Sequence, residues 1–528
     1  MRRGLRFASA QSNQMPLFGP DVIVTSLVGS VPLLAIALAT GGCGQERETP
    51  AGETFADHVP QFEAVQPDLF SDAGAQSNAW ADFDGDGDLD LFVGFRGRAD
   101  RLYRNDAGVF RDVAKQVGLG DETETRVAAW GDIDGDGWPD LYIGFANTET
   151  PNRLYHNRGG TGFVDIAAQQ GVNLTGTTRQ VSWVDYDGDD DVDLFIALRD
   201  APNRLFRNDD GVLADATEAA GIGDTRKTVG VVWFDMDEDG DLDAFVANQD
   251  SDTDGMYRND GGRFTDVAAQ LDMARPERPA DQGGVGPSVA DYDNDGDLDL
   301  FVAAYGPNLL YRNDGGGRFS LVTAEAGLAS EYHAVASAWG DYDNDGRLDL
   351  YVGAFLSAEP EAKDYLYRNE GGRFRDVAPP VIVAHGASHG VQWADFDADG
   401  DLDLALANND PAVGRHPLYR NLLPDTLARR SLQVMVRRAD GGYTVPGAEV
   451  RLYRAGTDRL IATRMVDTGS GYCSQNVAPV HFGLGDEAGE VDVEVIVPRA
   501  GRRDVVRVNG VRPGDWVGRS LEVHAPPR

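Results

Sequence analysis

Short apolar runs separated by polar turns fill most of this chain, and the pattern returns about every fifty residues. Runs such as DLFVG and DLYIG are four to six residues long and rich in β-branched and aromatic side chains, so they read as buried strands. Each run is preceded by a segment with Trp two residues before an acidic loop: Trp80, Trp130, Trp183, Trp233, Trp339 and Trp393, with Val289 in the fifth unit. A third strand follows as LYRN or a close variant, from Leu102–Asn105 to Leu418–Asn421. Asn, Asp and Gly then mark a hairpin turn, and an FxDV-like strand such as Phe110–Val113 closes the unit. The Trp stripe is read as core between neighbouring units. A period near fifty marks one supersecondary unit, too small to bury its own apolar face, repeated along the chain.

The acidic loops carry the candidate chemistry. Seven nine-residue copies begin at Asp82, Asp132, Asp185, Asp235, Asp291, Asp341 and Asp395, spaced 50, 53, 50, 56, 50 and 54 residues apart. Positions 1, 3, 5 and 9 are Asp in every copy. Alternate carboxylates on a tight loop converge on one point and suit the oxygen-only coordination of Ca2+. Mg2+ prefers to keep its waters and fits less well. Position 7 varies and includes Trp138 and Arg347, which fits a ligand drawn from the backbone carbonyl. The predicted sets are Asp82, Asp84, Asp86, Asp88 and Asp90; Asp132, Asp134, Asp136, Trp138 and Asp140; and Asp185, Asp187, Asp189, Asp191 and Asp193. They continue with Asp235, Asp237, Asp239, Asp241 and Asp243; Asp291, Asp293, Asp295, Asp297 and Asp299; Asp341, Asp343, Asp345, Arg347 and Asp349; and Asp395, Asp397, Asp399, Asp401 and Asp403. Position 6 is Gly except at Asp190, where a sharp turn wants positive φ. Positions 2 and 8 are apolar anchors. An EF-hand is excluded, because position 12 is Val, Ile or Leu within a strand rather than a bidentate Glu.

Four strands per unit, repeated about an axis, predict an all-β, seven-bladed β-propeller with calcium-binding loops. The seventh unit lacks a fourth strand, and Gln61–Val65 supplies a matching piece ahead of the first loop. The propeller is therefore placed at 58–424. On these motifs the chain resembles FG-GAP/VCBS-repeat propellers of the cartilage acidic protein family. From Ser431 a smaller β-rich segment begins, and PGAEVRLY at Pro446 and GSGYCSQNVAPVHFGLG at Gly469–Gly485 resemble the ASPIC/UnbV domain that follows such propellers. The departures are Cys473, where the family has an apolar residue, and VIVPRAG at Val495. A small sandwich-like domain over 425–528 is the expectation. The resemblance implies fold and calcium more than an activity.

Composition sharpens this. The formal charge is −40, yet the seven loops hold 35 of the 87 acidic residues, so much of the acidity is metal chemistry. What remains argues against nucleic acid or an anionic membrane surface as partner. Arg2, Arg3 and Arg6 precede an uncharged run over Val22–Thr40 and then Gly41-Gly42-Cys43. This reads as a signal peptide over 1–43, of lipoprotein type with Cys43 lipidated, followed by a polar linker over 44–57. An uncleaved signal anchor, or plain secretion, is the alternative. An exported chain meets abundant calcium, which can take the stapling role of disulfides in a protein whose only cysteines are Cys43 and Cys473.

Ligands of such folds usually sit in the central funnel, at the end away from the calcium hairpins. Before the first strands lie Arg126, Arg179, Lys227, His333 and His389, and they are the candidate ligand-binding set for an anionic group. His385 and His389 lie four apart in a glycine-rich loop, and His481 lies in a strand; none is assigned a catalytic role. HExxH, nucleophile-elbow and phosphate-loop motifs are missing from the sequence. The favoured function is an exported calcium-binding interaction module for a protein or glycan at the cell surface. The alternative is a calcium-dependent enzyme (a lyase, hydrolase or biosynthetic cyclase) using the funnel.

Overall fold

The fifty-residue units fold as separate four-stranded antiparallel sheets in a computed structural model. Its described residues are 55, 58–120, 123–329, 333–355, 363–383, 387–412, 414–487 and 489–528. The expected signal with Cys43, the linker apart from residue 55, and His385 lie outside them. In the first unit the strands Ala75–Ala81, Asp90–Phe95, Arg101–Asp106 and Val109–Asp112 pair in that order, and the other units follow the same plan. The acidic loop joins strands one and two. In the seventh unit the order ends with Phe62–Ala64, which pairs antiparallel with Leu418–Asn421 and sets Phe62 opposite Asn421.

The expected β-propeller is corrected here. The architecture is all-β and mostly antiparallel, but no sheet is closed into a barrel or propeller. Main-chain pairing stops at the fourth strand of each unit, where in most units a short helix or turn follows instead of another partner. Contact between units is carried mostly by side chains, beside a few main-chain bonds such as Gly97 N to Thr123 O at 3.2 Å. Apolar clusters form between neighbouring sheets; one joins Trp130, Phe163, Phe83 and Phe92, another Trp80, Phe110, Phe396 and Leu418. The Trp130 indole donates to Ala79 O at 3.2 Å, Trp183 to Ala129 O at 3.4 Å and Trp393 to Ala338 O at 3.3 Å. Burying an indole this way contributes roughly 4–6 kcal/mol from area alone.

The Asn of each LYRN strand makes a second link. Asn157 Nδ2 donates to Phe83 O in the preceding unit at 2.9 Å and to Pro139 O in its own at 3.1 Å. Asn208, Asn259, Asn313, Asn369 and Asn421 repeat this toward Ile133, Tyr186, Met236, Tyr292 and Tyr342. Asn105 does so toward Phe396 of the seventh unit, at 2.8 Å.

The C-terminal region builds two further sheets around a core of its own that includes Leu432, Val450, Leu452, Phe482, Val493 and Val495. Ser431–Arg437 lies between antiparallel Val480–Gly483 and parallel Leu521–His524. The second sheet is antiparallel, in the order Leu460–Met465, Glu449–Arg454, Val491–Pro498, Arg503–Val511. Between these sheets the chain leaves the domain over 467–477 and runs among the first strands of the repeats. Ser474–Gln475 adds to the second unit's sheet, parallel to Ala128–Ala129.

Candidate functional site

The acidic loops share one hydrogen-bond scheme. The position-1 carboxylate accepts the N–H groups of positions 5 and 6; in the third loop Asp185 accepts from Asp189 at 3.0 Å and from Asp190 at 2.8 Å. Position 5 accepts the N–H of position 7, as Asp86 does from Asp88 at 3.1 Å. Position 9 is buried and accepts the N–H of the LYRN Asn, as Asp90 does from Asn105 at 2.8 Å. That bond ties loop to third strand, a role hidden in the sequence. Where position 7 is Asp, its side chain accepts from the chain just after the LYRN strand: Asp88 from Ala107, Asp191 from Asp210 and Asp241 from Gly261.

Position 3 completes the picture. In four loops its Oδ1, on Asp84, Asp187, Asp237 and Asp397, is buried without a hydrogen bond. Ligand atoms of Asp82, Asp84 and Asp86 lie within 4.8 Å of one another, as do those of Asp132, Asp134 and Asp140 and of Asp185, Asp187 and Asp193. Burial, and then the crowding of neighbouring carboxylates, pushes these acids up: Asp82 to about 6, Asp185 and Asp235 to about 7, Asp395 to about 8 and Asp401 to about 9. Orphaned oxygens and carboxylates that resist ionising are what a bound hard cation would relieve, so the residues fit a divalent metal.

Two features lay outside the sequence reading. Position 4 also takes positive φ, at Glu238 (61°), Asn294 (58°), Asn344 (57°) and Ala398 (58°), alongside Asp190 (75°) at position 6. The LYRN Arg stands against position 3, as in Arg104–Asp84 at 3.0 Å, Arg368–Asp343 at 2.8 Å and Arg420–Asp397 at 2.6 Å. In the second loop His156 takes this place, 3.1 Å from Asp140, and that bond with the surrounding acids raises it to about 9.

The C-terminal domain covers this end of the sheets. Tyr443 N donates to Asp132 Oδ2 at 2.8 Å, Gly501 N to Asp241 Oδ1 at 2.8 Å and Gln433 Nε2 to Asp395 Oδ2 at 2.6 Å. Arg499 pairs with Asp190 at 2.6 Å, and His481 Nε2 meets Asn344 Oδ1 at 2.7 Å. Burial lowers His481 to about 3, so it is neutral.

From there the 467–477 segment acts as a plug. Asp467 organises it, accepting from Gly469 N, Ser470 N, Asn476 N and Asn476 Nδ2 at 2.8–3.0 Å. The segment bonds to the first strands of units one to five, through Asn476–Trp80, Cys473–Ala128, Gln475–Trp183, Thr468–Trp233 and Gly471–Pro287. A Cβ on Gly286 would lie 2.0 Å from Gly471 O, so that approach requires glycine. The tip residues Tyr472 and Cys473 have φ of 150° and 63°, and the Cys473 N–H donates to Gln180 Oε1 at 2.7 Å. Burial raises the Cys473 thiol to about 11, which leaves it inert.

The tip meets part of the predicted ligand set. Arg126 Nη1 lies 2.5 Å from Gln76 Oε1 and 3.0 Å from His389 Nδ1, and His389 packs edge-on to Tyr472 with ring centroids 5.7 Å apart. Arg179 feels Arg126 as its strongest neighbouring charge. His333 stacks on Tyr305 with ring centroids 4.8 Å apart. Lys227 is apart: its Nζ pairs with Asp250 at 2.9 Å. The space among the first strands is thus filled by the plug rather than left as an open funnel.

Comparisons with known proteins identify the repeat and the C-terminal domain. The model of the FG-GAP-like repeat matches six times, over residues 82–143, 132–196, 185–246, 235–302, 291–352 and 355–406, and the ASPIC and UnbV model matches 443–512. Cartilage acidic protein 1 of Mus musculus and of Homo sapiens are each 28% identical over 45% of this chain, covering 37% and 36% of those proteins. The Xenopus tropicalis protein is 26% identical over 66% of this chain and 38% of its own length. The chain thus spans well under half the length of these relatives. Among solved structures, BBS1N in complex with ARL6DN aligns at 11% identity and TM-score 0.42 over 69% of this chain and 97% of that one. An Agrocybe aegerita protein described as recognising non-reducing terminal N-acetylglucosamine aligns at 19% and 0.37, over 70% and 94%. Likenesses at these scores carry no argument.

Proposed function

The chain belongs to the FG-GAP-like repeat family, carries an ASPIC and UnbV domain and is homologous to the cartilage acidic proteins, and from that premise we propose an exported, calcium-stapled interaction module that holds a protein or glycan ligand at the cell surface. The observation that carries the metal half is the buried, unbonded Oδ1 at position 3, recurring at the same place in four loops. Calcium suits a set of carboxylates and a carbonyl at one point, and up to seven ions are expected, one per loop. Extracellular calcium fills sites with Kd on the order of 10⁻⁴–10⁻³ M. Seven divalent ions would bring the formal charge from −40 to about −26 and relieve repulsion within each loop.

The repeats would run over 58–424 and the C-terminal domain over 425–528, with export and a lipid anchor at Cys43 supplied by the N-terminal segment. Kinship with the cartilage acidic proteins supports export. The enzyme alternative needed an open central funnel, and the plug removes the ground for it. The decisive experiment is native mass spectrometry of the metal-stripped chain titrated with Ca2+, beside a glycan and cell-surface-protein array in calcium and in chelator. Uptake of several ions together with a ligand retained only in calcium supports the module. No specific uptake would overturn the metal half; ligand retention unaffected by chelator would overturn the dependence on calcium.

A further inference from the structure

Each first strand carries a β-bulge near its start, and all seven bulges fall on the same position. Register shifts occur across Gln76, Arg126, Arg179, Val229, Val285, Val335 and His389. A bulge re-aims its extra residue out of the normal alternation. Here the re-aimed residues divide by chemistry. Val229, Val285 and Val335 pack with Tyr472 and Cys473 in one apolar cluster. The other four, from the seventh, first, second and third units, are His389, Gln76, Arg126 and Arg179. The plug tip therefore packs on the apolar half; on the polar half Gln76 and His389 are buried and the two arginines keep partial exposure.

The polar half carries two positive charges that no carboxylate pairs with among the described residues; Glu124, the acid that Arg126 feels, is paired with Arg96. Arg126 bonds only to Gln76 and His389, both uncharged partners, and its Nε is buried without a hydrogen bond. Arg179 Nε is likewise buried without a hydrogen bond. His389 adds no negative charge; burial and the two guanidinium groups hold it neutral. Nearby cations are treated differently. Arg96 pairs with Glu124 at 3.4 Å, Arg199 with Asp250 at 2.9 Å and Arg226 with Asp224 at 2.7 Å. In a chain with 87 acidic and 47 basic residues, two adjoining guanidinium groups without a carboxylate are an open electrostatic position.

We propose that Arg126 and Arg179, supported by Gln76 and His389 and floored by Tyr472, form a binding site for an oxyanion, a carboxylate or a sulfate borne by the ligand. The planar forks of two guanidinium groups match such an anion with paired hydrogen bonds. Phe355, 5.2 Å from the His389 ring and 5.9 Å from that of Tyr305, walls the site with aromatic carbon. The assignment rests on the reading of the chain as a binding module and names the chemistry that module recognises.

The test is isothermal titration calorimetry of the calcium-loaded full chain with glucuronate, inorganic sulfate and, as a neutral control, glucose. Saturable binding of glucuronate or sulfate, with none for glucose, is expected, and the tighter of the two identifies the preferred oxyanion. Arg179→Gln should weaken it by at least about tenfold. A second readout does not involve the anion: with none added, Arg179→Gln should leave the melting temperature unchanged or raise it, because an unpartnered charge is removed. No saturable binding, equal affinity in wild type and variant, or a marked fall in the anion-free melting temperature would each overturn the site. Calcium uptake, measured separately, would be untouched by that failure.

Discussion

The two ends of the first strands handle charge in opposite ways. At the loop end, carboxylates are gathered seven times over by one repeated sequence, and in four loops the position-3 Oδ1 is left orphaned. At the bulge end, six residues before the first Asp of each loop, two guanidinium groups are gathered once, by residues that differ from unit to unit. The first end has the chemistry of a staple and the second that of a recognition site. Repetition suits a structural metal, because every unit needs the same closure. Asymmetry suits a ligand, because identical side chains from seven units could not present a charged half and an apolar half together. The C-terminal domain touches both: its body covers the loops, and its plug divides the bulge residues.

The sharpest way to break this contrast is to remove metal. Chelation should lower the melting temperature by on the order of 10 °C or more, and calcium should restore it. The metal-free chain should also respond to pH. Carboxylates raised to about 6 at Asp82, about 7 at Asp185 and about 9 at Asp401 hold protons in the folded state that the unfolded chain releases near pH ~4. Their stabilising contribution is complete below that value and is lost as pH rises through about 6 to 9. The chelated protein should therefore melt lower at high pH than at pH ~5, while the calcium-loaded protein varies far less. Equal profiles with and without calcium would remove the staple from the loop end.

A smaller effect tests the plug. Asp467→Ala deletes the acceptor of four hydrogen bonds and should cost about 3 kcal/mol or more in chemical denaturation. It should also abolish oxyanion binding while the loops still take up calcium. Retained oxyanion affinity would show that the bulge residues need no floor.

The smallest effect lies at the loop that breaks the repeat. Asp190→Gly relieves a positive φ of 75° but removes the partner of Arg499. Arg499 keeps Asp504 at 3.0 Å, so the two changes should cancel to within about 1 kcal/mol. A larger loss of stability in thermal melts would mean that the Arg499 contact, not the turn, holds the third loop.

The four strands of each unit, the acidic loop between the first two, and the Trp of the first strand were legible because they depend on local pattern: short apolar runs, turn residues and carboxylate spacing. The closing strand at Phe62–Ala64 was legible from the missing fourth strand of the last unit. The buried Asn of LYRN was not, because its partners lie about 75 residues away in the preceding unit. Arg126, Arg179 and His389 were named with Lys227 and His333, yet only the first three occupy bulges or sit with the plug tip. Lys227 and His333 precede Val229 and Val335 by two residues, and no sequence signal marks which residue of a strand start will be bulged.

By itself the sequence determined the repeat, its all-β character, the carboxylate sets and the family, since each is written in neighbouring residues and survives being read one unit at a time. Tertiary structure alone decided that the sheets remain open and joined by side chains, that the C-terminal domain caps the metal loops, and that its 467–477 segment fills the space where a funnel was expected. Those outcomes depend on which distant surfaces bury one another, and burial energy is a property of the assembled pair rather than of either stretch of chain.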